Sequence, residues 1–271
     1  MKVLFFGDIN GKSGRRALAK VLPDLRREHK PDLVVANAEN LAHGKGLTLS
    51  TFREVLDAGV DFLTSGNHVF DKPEGREVFS QYADRIIRPA NFPDNLPGKG
   101  YQILSARSQR VAFLNLNGLV FMEKQFDYGE IQNPFLKLNE LLDRADLREV
   151  KIRILDFHAE ATSEKRAMGF WADGRMSAVL GTHTHVPTAD AHVLPRGTGY
   201  LTDLGMVGAA DSVIGVQKDT AIERLLASPS EERRAPLLID ESDVTEIDFA
   251  VLTIDEESGK CQNISSFRLV R

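Results

Sequence analysis

The sequence predicts a layered α/β sandwich built around a mixed sheet. Two observations lead there. Short apolar runs alternate with amphipathic segments through the first third of the chain, and strand-like segments dominate its end. Residues 2–7 form a short apolar run closed by Gly7-Asp8, which reads as a buried strand. Residues 15–29 carry Leu18, Val21, Leu22 and Leu25 at helical spacing, with Pro23 placed to kink the helix. Residues 33–38 read as the second strand. Thr51 and Glu54 resemble a capping box for a helix bearing Phe52, Val55 and Leu56. Residues 61–65 read as the third strand, ending at Gly66-Asn67-His68, and the Pro- and Gly-rich stretch 91–100 as a loop.

Further on, residues 101–106 and 110–115 read as strands of a hairpin, and 133–144 as a helix with Phe135, Leu138, Leu141 and Leu142 on one side. Residues 151–157 read as a strand ending at His158, 163–171 as a helix, 177–181 as a strand and 218–227 as a helix. Residues 244–254 and 262–270 flank the turn-rich 255–260 and read as a terminal β-hairpin. With no repeat, low-complexity stretch or linker, all 271 residues are expected to form a single domain that includes this hairpin.

Composition narrows the function classes. The net charge of −5 offers no footprint for duplex nucleic acid, although bound metal ions would reverse the local field for a small anionic substrate. No apolar run nears the roughly 20 residues of a membrane helix, and the run at residues 3–6 is too short for a signal-peptide core. One cysteine, Cys261, excludes an intrachain disulfide and suits a reducing, cytoplasmic compartment. Homo-oligomers are left open.

The chemistry-bearing residues sit where apolar strands run out, the place where open α/β sheets collect function. Asp8, Glu39-Asn40, Asn67-His68, His158 and the pair His183/His185 close five successive strands. Each has an ordinary reading by itself: Asp8 as a cap or turn residue, Asn67 as a turn residue, His158 as a hydrogen-bonded structural histidine. Together they offer two carboxylates, two amides and three imidazoles, with one imidazole spare. That set suits two metal ions about 3.5–4 Å apart sharing a carboxylate.

These blocks, in this order, resemble the calcineurin-like metallophosphoesterase superfamily. Asn37-Ala38-Glu39-Asn40 with His43-Gly44-Lys45-Gly46, Arg88-Pro89-Ala90-Asn91-Phe92-Pro93, the run from Asp156 to Lys165 and Thr182-His183-Thr184-His185-Val186 resemble its YmdB-type branch, over nearly the whole chain to about residue 208. The resemblance implies a four-layer αββα sandwich around mixed sheets. It assigns Asp8, Glu39, Asn40 and His185 to metal site 1, and Glu39, Asn67, His158 and His183 to site 2, with Glu39 bridging. The wider superfamily has Asp-x-His in its first block and a bridging Asp; here stand Asp8-Ile9-Asn10 and Glu39. That leaves His185 the sole imidazole of site 1. The harder donor set favours iron or manganese over zinc as the two divalent or trivalent ions.

The expected activity is hydrolysis of small phosphodiesters, with 2′,3′-cyclic nucleotides implied by the resemblance. A hydroxide shared by the metals would attack phosphorus in line, and His68 would act as general acid. The alternatives are a phosphomonoesterase or phosphoprotein phosphatase, and a regulatory nucleotide-binding protein with slow hydrolysis. Substrate contacts are not assigned. The glycines of the 43–46 loop would admit an anion near Lys45, or the loop is an ordinary surface loop. Residues 119–128 read as a lid, a stacking wall, a subunit interface or plain core.

Overall fold

The computed structural model describes residues 1–122, 125–227 and 236–271. The chain opens with β1 (Lys2–Ile9), α1 (Gly11–His29), β2 (Leu33–Asn37), α2 (Leu49–Asp57), β3 (Phe62–Thr64) and α3 (Gly75–Gln81). β4 (Tyr101–Ala106), β5 (Gln109–Asn117), α4 (Pro134–Leu142), α5 (Ala145–Arg148), β6 (Ile152–His158), α6 (Thr162–Ala172) and β7 (Ala178–Thr182) follow. The remainder is strand-rich: β8 (His192–Val193), β9 (Gly199–Leu201), β10 (Met206–Ala209), β11 (Ser212–Val213), β12 (Val216–Gln217), α7 (Lys218–Leu226), β13 (Thr245–Ile254) and β14 (Cys261–Val270).

Two mixed six-stranded sheets result, in the orders β14-β13-β10-β1-β2-β3 and β4-β5-β6-β7-β9-β8. Three apolar clusters separate the layers. One lies between the sheets and joins Phe5, Val35 and Phe62 to Phe113, Ile154 and Leu180. A second packs α1 and α2 on the first sheet, and a third packs α4 and α6 on the second. This is the αββα order that the resemblance implies. Phe62 and Phe113 meet across the two sheets with ring centroids 5.3 Å apart. Both are buried, each contributing about 1.5–3 kcal/mol by leaving water.

Parallel pairing brings the candidate residues to one edge. β1 runs parallel to β2 and β10, placing Asp8 beside Asn37 and Met206. β6 runs parallel to β5 and β7, placing His158 beside Asn117 and Thr182. The carboxyl ends of β1, β2, β3, β6 and β7 therefore converge.

Several expected boundaries move. α1 begins at Gly11, four residues before the expected start, because the chain turns directly from β1 with the Asn10 amide bonded to the Val207 carbonyl at 2.8 Å. The capping box belongs to Thr48 and Thr51, not Thr51 and Glu54: the Thr48 hydroxyl accepts from the Thr51 amide, and the Thr51 hydroxyl accepts from the Thr48 amide. The expected helix over 133–144 stops at Leu142 and is followed by the separate α5. α3, β9 and β10 have no counterpart among the elements expected from sequence.

Cys261 opens β14 and is buried; burial pushes its thiol up to about 11. The thiolate is the reactive form. Native protein at pH 8 is therefore expected to resist a thiol-specific disulfide reagent and to react fully in guanidinium. Rapid labelling of the native protein would contradict this burial.

Candidate metal centre

His158 lies at the centre of the converging strand ends, fully buried. Its Nε2 lies 3.0 Å from Asn67 Oδ1, 3.2 Å from Glu39 Oε2 and 3.1 Å from His183 Nδ1. Glu39, His158 and His183 present ligand atoms within 4.8 Å of one another, an arrangement that can hold a metal ion. Beside them, the Asn40 amide nitrogen sits 3.1 Å from both Glu39 Oε1 and His185 Nε2. Asp8 completes the group, accepting the His183 amide on Oδ2 at 3.1 Å. All seven residues assigned as ligands from sequence are thus brought together. His68 follows at the rim, its backbone amide donating to Glu39 Oε2 at 3.0 Å.

Local backbone makes this possible. His183 and His185 adopt φ of 100° and 63°. Residues other than glycine in the left-handed region need support from their surroundings. Lys165 supplies part of it. Buried on α6, it donates to the Thr182 carbonyl at 2.8 Å and pairs with buried Asp203. Asp203 in turn accepts the Thr184 amide at 3.2 Å. The pair thus grips the chain on both sides of His183. Gly66 is required by crowding: a Cβ there would lie 2.3 Å from both Glu39 Oε2 and His158 Nε2.

The imidazoles are oriented through their second nitrogens, as metal-binding histidines generally are. His158 Nδ1 meets the Thr182 hydroxyl at 2.9 Å, which donates to Asp156 at 2.6 Å. His185 Nδ1 meets the Ile214 carbonyl at 2.9 Å, and His183 Nε2 meets Glu160 at 3.0 Å. His68 Nδ1 meets Asp71 at 2.9 Å. None of these orienting partners is marked as such in the sequence. Asp156, Glu160 and Lys165 fall within the run from Asp156 to Lys165, but their pairings span up to 119 residues and no spacing rule reaches them.

The residues fit a bound cation. Burial, then the Glu39, Asp203 and Asp156 carboxylates, push Asp8 well above the usual carboxylate range. Burial pushes Asp156 up to about 6 against hydrogen bonds from Thr182, Thr64 and Asn37. Four carboxylates crowd here with Lys165 as the buried lysine among them. Two buried oxygens, Asp8 Oδ1 and Asn40 Oδ1, find no hydrogen-bond partner among the described residues. Burial opposes ionisation of Glu39 too, but the neighbouring imidazoles of His158, His68 and His183 outweigh it and hold the carboxylate well below its usual range. Burial takes His158 down to about 4 and also lowers His185, keeping both imidazoles neutral. Ionised carboxylate and neutral imidazole are the metal-binding forms.

The group opens onto a cavity of about 390 Å³ lined by Glu39, Asn40, Lys45, His68, His183 and His185. The 43–46 loop therefore borders the site. The segment 119–128 divides: Met122 and Phe126 are buried, Phe126 stacking on Phe92 at 4.1 Å, and Gln125 lines the cavity. Residues 123 and 124 of that segment lie outside the described residues.

The architecture is that of the calcineurin-like phosphoesterases: the chain superposes on YfkN of Bacillus subtilis, a calcineurin-like phosphoesterase, with a TM-score of 0.59 at 12% identity, covering 100% of this chain and 90% of that one. The profile of the YmdB-like protein family matches residues 4–267, and the chain belongs to that family. It is 44% identical over 226 residues to a 2′,3′-cyclic-nucleotide 2′-phosphodiesterase of Bacillus subtilis, covering 83% of this chain and 82% of the relative. The crystal structure of a novel phosphatase of Mycoplasma pneumoniae is 32% identical with a TM-score of 0.90, covering 100% of this chain and 93% of that one.

Proposed function

We propose that this chain is a metal-dependent phosphodiesterase that hydrolyses small cyclic nucleotides, 2′,3′-cyclic nucleotides first among them. The reading rests on the convergence of Glu39, Asn67, His158 and His183 within about hydrogen-bonding distance beside an open cavity bordered by Lys45 and His68. The Bacillus relative lends the substrate class. We assign Asp8, Glu39, Asn40 and His185 to one metal and Glu39, Asn67, His158 and His183 to a second, with Glu39 common to both. Oxygen-rich donors favour iron or manganese ahead of zinc. The whole chain serves as one catalytic domain, acting in a reducing, cytoplasmic compartment. Among the described residues no helix is long and apolar enough to cross a membrane.

When bound, the metals supply Lewis acidity, neutralising phosphoryl charge and making a water nucleophilic at neutral pH. The protein's own groups do the rest. Lys45 meets the incoming phosphate at the cavity rim. His68 carries the proton for the leaving oxygen. Burial pulls its pKa down, but the Asp71 hydrogen bond and the Glu39 charge more than offset this, and the net shift is upward. Asp71 occupies Nδ1, so Nε2 is the nitrogen left to donate. His68→Ala is expected to keep its metal while kcat falls at least about tenfold, and by as much as the roughly 10²–10⁴-fold that general acid catalysis contributes. Undiminished kcat in that variant would remove His68 from the mechanism.

The Mycoplasma relative, described as a phosphatase, favours a second reading, a phosphomonoesterase. Metal analysis of freshly purified protein, with rates on bis-p-nitrophenyl phosphate, p-nitrophenyl phosphate and 2′,3′- and 3′,5′-cyclic nucleotides, separates the two. Preference for the diester and the 2′,3′-cyclic nucleotides supports the proposal. Preference for the monoester transfers the chain to the second reading, and inactivity with manganese, iron and zinc alike defeats both.

A further inference from the structure

The cavity beside the candidate metal ligands has a second, apolar part that hydrolysis itself does not use. Ile214, Val216, Leu237 and Ile239 line it. They come from two segments brought together late in the chain. β11 and β12 form a hairpin with Val213 paired to Val216, and Val216 bridges to Ile239. The Gln217 amide donates to the Leu238 carbonyl at 2.8 Å, and the Asp240 amide donates to the Gly215 carbonyl at 2.9 Å. This small wall is fixed to the candidate ligand group through the Ile214 carbonyl on His185. It also closes against the 43–46 loop: a Cβ on Gly44 would come within 2.4 Å of Ile239 Cδ1.

Ile214 is out of place as a structural residue. With Gly215 it forms the two-residue turn of the hairpin, both at positive φ, 49° and 95°. Such turns favour Asn-Gly, and a β-branched side chain at positive φ is strained. Ile214 is 48% exposed and Leu237 42% exposed, so core burial does not offset that strain. Retained strain at a ligand-lining position points to a role in binding. A second observation points the same way. Asn10 lines this cavity at 3% exposure, and its side-chain oxygen has no hydrogen-bond partner among the described residues. It lies under the turn, where a Cβ on Gly215 would come within 2.5 Å of the Asn10 amide nitrogen.

We infer that this wall is the binding face for the nucleobase of a nucleotide substrate, with Asn10 accepting an N–H or O–H of the nucleoside. The inference rests on the phosphodiesterase reading and deepens it. A nucleotide joins a phosphate to a flat ring with apolar faces and polar edges. The cavity joins Lys45 and His68 to an aliphatic wall with an unsatisfied amide at its foot. Its volume of about 390 Å³ suits one ligand of that size rather than a polymer.

The test compares kcat/KM on 2′,3′-cyclic AMP with that on glycerol 1,2-cyclic phosphate, which carries a cyclic phosphodiester but no base. Wild type is expected to prefer the nucleotide by about 10²-fold, and Leu237→Ser and Asn10→Ala each to reduce that preference about tenfold, chiefly through KM for the nucleotide. A preference unchanged in both variants overturns the wall. So does equal kcat/KM on the two substrates in wild type, a comparison that needs no variant to fold. Hydrolysis of neither substrate overturns the phosphodiesterase reading and the wall with it, whereas brisk hydrolysis of both without preference overturns the wall alone.

Discussion

Replacing Glu39 by Gln is expected to leave a folded protein that no longer retains metal and whose turnover of 2′,3′-cyclic AMP falls on the order of 10³-fold. Glutamine keeps the shape and the hydrogen bonds that an oxygen can accept, including that from the His68 amide at 3.0 Å. It removes the one carboxylate that lies against Asn40, His158 and the His68 amide together. The apo protein is expected to tolerate the change. Glu39 is the nearest-acting charge on Asp8 after burial itself, so its loss brings Asp8 back toward the ordinary carboxylate range. Metal content after desalting, measured beside the thermal midpoint, checks both halves. Full metal and full turnover in a folded Glu39→Gln protein would refute the bridging assignment. His185→Ala is the graded comparison: losing the one imidazole assigned to site 1 should halve the metal content, whereas Glu39→Gln should abolish it.

Much of this site is visible in the sequence because strand ends are. An apolar run that stops at Gly7-Asp8 or Gly66-Asn67-His68 marks both the strand and the position where a polar side chain leaves the sheet. Parallel pairing then brings such positions to one edge. What the sequence hides is whatever depends on register or on distant partners. β9 and β10 are three and four residues long, too short for an alternating pattern to declare itself. Thr48 caps α2 only because Thr51 returns the bond, and Thr51 itself offered an equally plausible box with Glu54. Ile214 looks like an unremarkable aliphatic until its carbonyl is seen on His185. Lys165 lies in a helix of mixed polarity, where no pattern announces that it is 1% exposed.

Lys165→Met is expected to destabilise the fold by about 3–5 kcal/mol, the usual consequence of removing one partner from a buried ion pair. At about 2–4 °C per kcal/mol, the thermal midpoint should fall by roughly 10 °C. The cause is the Asp203 carboxylate, buried and left, among the described residues, with the Thr184 and Gly205 amides against it. Adding Asp203→Asn removes the stranded charge, so the double variant should recover part of the loss. Stability alone does not exhaust the role. Lys165 holds the Thr182 carbonyl and Asp203 holds the Thr184 amide, so the pair fixes His183 from both sides at a φ of 100°. Freed of either hold, His183 can relax toward negative φ and carry its imidazole away from His158 and Glu39. Manganese affinity, titrated calorimetrically well below the midpoint where both proteins are folded, should therefore weaken in Lys165→Met. The Asp203→Asn addition should not restore it, because the grip on Thr182 is still missing. A double variant that regained stability and metal affinity together would reduce the pair to charge compensation. Recovery of stability without affinity is the outcome that makes Lys165 a positioning residue for the metal centre.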